Sequence, residues 1–147
     1  MAETTKQPTD SSEEYRETIE EIEETFGRVP APLNSISEED MSNEWPMFRK
    51  YTVGDSEIPA KYRELIGLAV AANIKCPYCA TFHREAAKLH GATEAELEET
   101  YVLSSFTSRY SAMLHGMQYD LETFESELGE IGEHLQQHMD AGAGADD

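Results

Sequence analysis

The chain is 147 residues long, about one ordinary domain, and sets 30 acidic side chains against 11 basic ones, so its formal net charge is 11 − 30 = −19. Such a field repels nucleic acid and anionic lipid, and neither is expected as a partner. The longest apolar run, "LIGLAVAA" at 65–72, falls short of the ~18 consecutive apolar residues of a membrane span.

In chain order, residues 1–10 are polar and aperiodic and are expected to be disordered. They lack the basic and apolar regions of a secretory signal, so a cytoplasmic protein is expected. From Ser11 or Ser12 the stripe Tyr15, Ile19, Ile22, Phe26 predicts a helix stopped by Gly27. An extended connector follows, because Pro30 and Pro32 bias their predecessors away from helix. A second helix over 38–52 places Met41, Trp45, Phe48 and Tyr51 on one face, with Pro46 marking a kink or a break. Pro59 opens a third over 59–73, whose second half is almost wholly apolar and suited to close packing. Pro77 starts a fourth that Gly91 ends near His90. Thr93 and Glu96 form a capping box for a fifth, reaching about 118 with a break near "SSFTSRYS". The last helix, 121–138, shows Leu121, Phe124, Leu128, Ile131 and Leu135, and residues 140–147 read as a flexible acidic tail. No useful period-two stretch is present. The expected fold class is all-α, with 11–139 forming one domain.

The carboxylates are dispersed along the chain rather than gathered in one tail. An acidic face for a basic partner is one explanation. Adaptation to a high-salt cytoplasm is the other, and the dispersal favours it, since molar salt screens repulsion beyond ~3 Å.

Cys76 and Cys79 are the only cysteines. A pair closing so short a loop adds little to stability, and in a reducing compartment it points to redox chemistry or metal binding. With Pro77 at the first helical position, Cys76 falls at the N-cap and Cys79 one turn inside, where free amides and the helix dipole favour thiolate. His83 follows Cys79 by four residues, on the same face. Such a set can run a dithiol cycle in which Cys79 attacks a peroxide or disulfide and Cys76 resolves the product. Glu64, on the preceding helix, is the candidate proton carrier. Other readings stand beside this one. The cysteines can be inert buried thiols, or a redox switch in a non-enzymatic sensor or partner-binding subunit. They can also be two ligands of a structural zinc site, with His83 as the third and Glu64 or His115 as the fourth. Glu64 alone reads as a surface carboxylate and His83 as a structural histidine. The polar set Arg109, Tyr110, His115 and Asp120 within 104–120 fits a subunit interface of small residues, or a second wall of a substrate pocket together with Tyr78.

The stretch "EIPAKYRELIGLAVAANIKCPYCATFHREAAKLHGATEAELEE", with Glu64, eleven residues, Cys-x-x-Cys, three residues and His83, resembles the AhpD-like branch of the carboxymuconolactone decarboxylase superfamily. "GRVPAPL" upstream is similar to that family as well. The resemblance implies an all-helical fold assembled as a trimer or hexamer, with thiol-dependent peroxidase or disulfide reductase activity and no cofactor or metal beyond the cysteine pair. It implies a hydroperoxide or disulfide substrate and a thiol or protein reductant. By position, Cys79 matches the peroxidatic cysteine, Cys76 the resolving one, and Glu64 and His83 the proton relay. AhpD itself has a second relay histidine where this chain has Tyr78. The decarboxylases of the superfamily lack the cysteine pair, so lactone decarboxylation is not implied.

Overall fold

Each apolar stripe read from the sequence becomes a helix. A computed structural model of the chain describes residues 11–143, in the order α1 (Ser11–Phe26), α2 (Glu38–Thr52), α3 (Ala60–Asn73), α4 (Pro77–Leu89), α5 (Glu94–Gly116) and α6 (Leu121–Ala143). A 3₁₀ turn, Leu33–Ser35, lies in the first connector, and no strand occurs among the described residues. The class is all-α, as expected.

The ends of the helices follow from local chemistry. Ser37 caps α2 by accepting the Asp40 N–H, and the Thr93–Glu96 box caps α5 in both directions. Gly27 and Gly91 follow α1 and α4 at φ +73° and +84°, the left-handed backbone that glycine adopts without a Cβ clash. After α4, Gly91 N–H bonds Lys88 C=O and Ala92 N–H bonds Ala87 C=O, which closes a Schellman motif.

Three sequence expectations need correction. Pro46 neither breaks nor divides α2. It lies on the exposed face, while Met41 and Trp45 anchor the opposite face in a core, so water can serve the carbonyl that proline leaves unbonded. No break occurs at 104–111 either, because Ser104 and Ser105 donate their hydroxyls to carbonyls of their own helix, at Tyr101 (2.9 Å) and Val102 (2.7 Å). Finally, α6 runs on to Ala143, into the stretch expected to be tail. The expectation of disorder at 1–10 lies outside the described residues, as does the rest of the tail.

The chain divides into two units whose boundaries cut through α3 and α4. Among the described residues, one comprises 11–66 together with His83–Ala92. Its core is Ile22, Met41 and Trp45, enclosed by Tyr15, Ile19, Phe26, Val29, Leu33, Ile36 and Phe48. Trp45 stacks on Phe48 at 5.9 Å and meets Phe26 edge-on at the same centroid distance. Its indole N–H donates to Glu21 Oε2 at 3.0 Å, an oxygen that also accepts from Arg49 at 2.6 Å. Tyr51, expected on the buried face of α2, is exposed.

The other unit comprises, among the described residues, Gly67–Phe82 and 93–143. Leu68, Ala71 and Leu97 are its buried apolar residues, and Thr100 and Ser104 are buried polar ones. The Asn73 amide donates to Ser104 C=O at 3.3 Å, and its oxygen accepts from Ser108 Oγ, which ties the end of α3 to the middle of α5. On α6, Leu128, Ile131 and Leu135 are half-exposed in the isolated chain.

Candidate redox site

The cysteine pair rests on how α3 ends. Cys76 N–H bonds Ala71 C=O at 3.1 Å and Lys75 N–H bonds Ala72 C=O at 3.3 Å, a Schellman motif whose left-handed residue is Lys75 at φ +58°. The chain therefore turns within two residues of Asn73 and delivers Cys76 directly to the start of α4. There the Cys76 carbonyl accepts the Ala80 N–H at 3.0 Å, and its sulfur accepts the Cys79 N–H at 3.2 Å. Cys76 is thus the N-cap residue that the sequence spacing predicts, with sulfur in place of the usual oxygen.

Cys76 and Cys79 are joined as a disulfide, their Cα atoms 5.3 Å apart, and both are half-buried. Tyr78, between them, is 86% exposed.

Glu64 and His83 form a second constellation. Glu64 is only 3% exposed, and its Oε2 lies 2.8 Å from His83 Nδ1 on α4. A carboxylate removed from water needs a donor, and the imidazole supplies one. The surface-carboxylate reading of Glu64 is therefore overturned. Holding Nδ1 against a carboxylate fixes the ring's orientation and directs Nε2 away from Glu64. Because α4 is unbroken from Pro77 to Leu89, His83 lies one turn along the same helix from Cys79.

Tyr110 is exposed and its ring contacts Phe106 on its own helix; His115 is exposed near the end of α5. Among the described residues, no group of three or more His, Cys, Asp or Glu side chains is arranged to hold a metal ion. No helix among them is long and apolar enough to cross a membrane.

Comparison with known proteins matches residues 39–121, more than half of the chain, to the model of the carboxymuconolactone decarboxylase family. The chain belongs to that family. Within it, the chain is 30% identical over 80 residues to an alkyl hydroperoxide reductase of Mycobacterium tuberculosis. The match takes in 53% of this chain but 23% of that protein, so the chain spans about a quarter of its curated relative. Among solved structures, it is similar to the AhpD core of Rhodospirillum rubrum, with a TM-score of 0.65 and 25% identity, over 84% of this chain and 98% of that one. The matched family region contains Glu64, Cys76, Cys79 and His83 together.

Two features of the site escape sequence reasoning. Lys75 in the left-handed region carries no composition signal, since glycine or asparagine is what that position ordinarily shows. Asn73 reads as a helix-end residue, and its tie to α5 depends on tertiary packing.

Proposed function

We propose that the chain is a thiol-dependent oxidoreductase that reduces a hydroperoxide or a disulfide through a Cys76–Cys79 dithiol cycle. The observation that carries this reading is the cysteine pair itself, closed as a disulfide at a helix start, half-buried and flanked by an exposed Tyr78. The names of its relatives, an alkyl hydroperoxide reductase and an AhpD core, support the same chemistry.

In the peroxide half-reaction, the Cys79 thiolate attacks the outer peroxide oxygen and the O–O bond breaks. An alcohol leaves and Cys79 becomes a sulfenic acid. The Cys76 sulfur then attacks that sulfenic sulfur, water leaves and the disulfide closes. An external thiol or protein dithiol supplies the two electrons and two protons that reopen it. With a disulfide substrate, the first product is a mixed disulfide that Cys76 resolves in the same manner.

His83, oriented by Glu64, takes the thiol proton and returns it to the leaving oxygen or sulfur, and Glu64 exchanges it onward. No cofactor beyond the cysteines is required. A cytoplasmic setting fits a cycle that needs continual reduction. The half-exposed apolar side chains of α6 support assembly into a homo-oligomer, a trimer or hexamer by family resemblance. The dispersed acidic charge supports a high-salt environment.

The deciding experiment measures hydroperoxide and disulfide reduction with excess dithiol, in both dilute and molar salt. Cys79→Ser is expected to abolish turnover, while Cys76→Ser accumulates a sulfenic acid or mixed disulfide on Cys79 that mass spectrometry detects. Full turnover by either variant rules the cycle out. Oxidation of the wild-type pair that stops after one equivalent assigns the chain to a redox sensor instead.

A further inference from the structure

Apart from the cysteines, one region of the first unit sets an open apolar cavity beside an arginine. A cavity of about 540 Å³ opens between the end of α2, the 55–58 connector and the first turns of α3. That volume lies within the range of ligand pockets, about 300–1,000 Å³. Tyr51, Ile58 and Ile66 give it apolar walls, and all three are exposed in the chain.

Arg63 supplies the charge. Its Nη1 donates to Ser56 Oγ at 2.9 Å and reaches Lys50 C=O at 3.5 Å, while its Nε is sealed from solvent without an acceptor. A guanidinium has five N–H donors, and these contacts leave most of them unused. Among the described residues Arg63 forms no ion pair, although Asp55 and Glu57 line the same cavity. Both of those carboxylates are exposed, where water and salt screen them, whereas Arg63 is half-buried. A buried N–H without a partner is unfavourable, and a carboxylate that draws the guanidinium toward the cavity would relieve it. Lys50, whose Nζ lies 4.8 Å from the Tyr51 ring centroid, brings a second cation to the same wall.

We propose that this cavity binds an amphipathic carboxylate, with the head group on Arg63 and an aliphatic tail against Tyr51, Ile58 and Ile66. A planar guanidinium matches a carboxylate bidentately, and the apolar walls favour a hydrocarbon tail over a small inorganic anion. The inference does not depend on the redox reading, since every lining residue lies outside the cysteine pair and the Glu64–His83 pair.

The test uses the full chain, titrated by two-dimensional amide NMR with octanoate, octanol and octylammonium. Octanoate is expected to shift the Lys50–Ile58 and Arg63–Ile66 amides saturably and to bind about tenfold or more tighter than octanol. Arg63→Met should erase that preference, and Arg63→Lys should weaken it by several-fold because the charge stays and the fork is lost. Arg63 also braces the Lys50 carbonyl, so a second variant is needed in case its replacements misfold. Ile58→Asp changes an exposed side chain and should leave the melting curve in place while abolishing octanoate binding. Equal affinity for octanoate and octanol, tighter binding of octylammonium, or unchanged octanoate binding by Ile58→Asp would each overturn the assignment.

Discussion

Replacing Glu64 separates structure from chemistry more sharply than any other substitution at the site. Its carboxylate is 3% exposed and meets His83 Nδ1 at 2.8 Å, while the imidazole side chain is 26% exposed. Glu64→Ala removes the acceptor and leaves a small void in its place. The imidazole can recover part of the lost bond from water, so the hydrogen-bond loss sits toward the lower end of about 1–3 kcal/mol. Adding a methylene-sized packing loss brings the total to about 2–3 kcal/mol. For a domain of this size that corresponds to a fall in Tm of roughly 5–10 °C. Glu64→Gln keeps the volume and presents an amide oxygen to the same nitrogen, so it should lose less than about 1 kcal/mol.

Activity should order the two variants differently. The amide of Gln cannot carry a proton, so Glu64→Gln should lower kcat/KM for hydroperoxide by about 10²-fold or more despite its near-native melt. Thermal melts by circular dichroism and dithiol-coupled turnover supply the two readouts. If Glu64→Gln turns over like the wild type, the proton-carrying role fails. If Glu64→Ala melts like the wild type, the reasoning from burial and hydrogen bonding fails as well.

Further outcomes follow from other contacts. Lys75→Gly should raise stability by about 1 kcal/mol, because a lysine held at φ +58° is strained where glycine is not; an unchanged or lower Tm contradicts the turn geometry. Asp120 caps α6 by accepting the Thr123 N–H at 2.8 Å and the Thr123 hydroxyl at 2.9 Å. The backbone bond from Thr123 is the main reason its carboxyl titrates below the ordinary aspartate value of 3.8. A depressed folded-state pKa means that this contribution is complete above the unfolded pKa and is lost as pH falls through the folded one. Asp120→Asn should flatten that acid-side fall in α6 stability, which hydrogen exchange of the α6 amides measures. Trp45→Phe should cost about 1–2 kcal/mol by denaturant unfolding, through the lost bond to Glu21 and the smaller ring. Light scattering of the wild type should show the proposed oligomer, and Ile131→Glu, on the half-exposed face of α6, should give monomers without lowering helicity; a monomeric wild type contradicts the assembly.

Much of the site is legible in the sequence because its signals are local. Pro77 after Cys76 sets a helix start, and the three-residue spacing then dictates that Cys79 lies one turn inside. Gly91 and the Thr93–Glu96 box fix the next boundary by the same kind of short-range chemistry. What the sequence does not show depends on partners distant along the chain. Glu64 is one carboxylate among 30 acidic residues; its spacing from the cysteine pair marks it in the sequence, but its burial and its contact with His83, nineteen positions on, do not show there. Pro46 argues for a break that Trp45 overrides by packing on Phe26 and Phe48. Arg63 neighbours Glu64 in sequence, yet one lines an open cavity and the other is buried, and the partners that fix each, Ser56 and His83, come from other parts of the chain.

The stripes on α1 and α6 sharpen the point. Both follow helical spacing with comparable regularity, Tyr15–Ile19–Ile22–Phe26 on one and Leu121–Phe124–Leu128–Ile131–Leu135 on the other. The first is enclosed around a fully buried Ile22, while the second keeps Leu128, Ile131 and Leu135 half-exposed in the isolated chain. Hydrophobic periodicity reports which face of a helix avoids water in the protein's working state, not which face one copy of the chain can cover. Where pattern and burial agree, as on α1, the fold of a single chain accounts for the sequence. The disagreement on α6 cannot be a failure of helix prediction, since the helix forms and extends past its expected end. In the assembly proposed above, a second copy of the chain would cover that face.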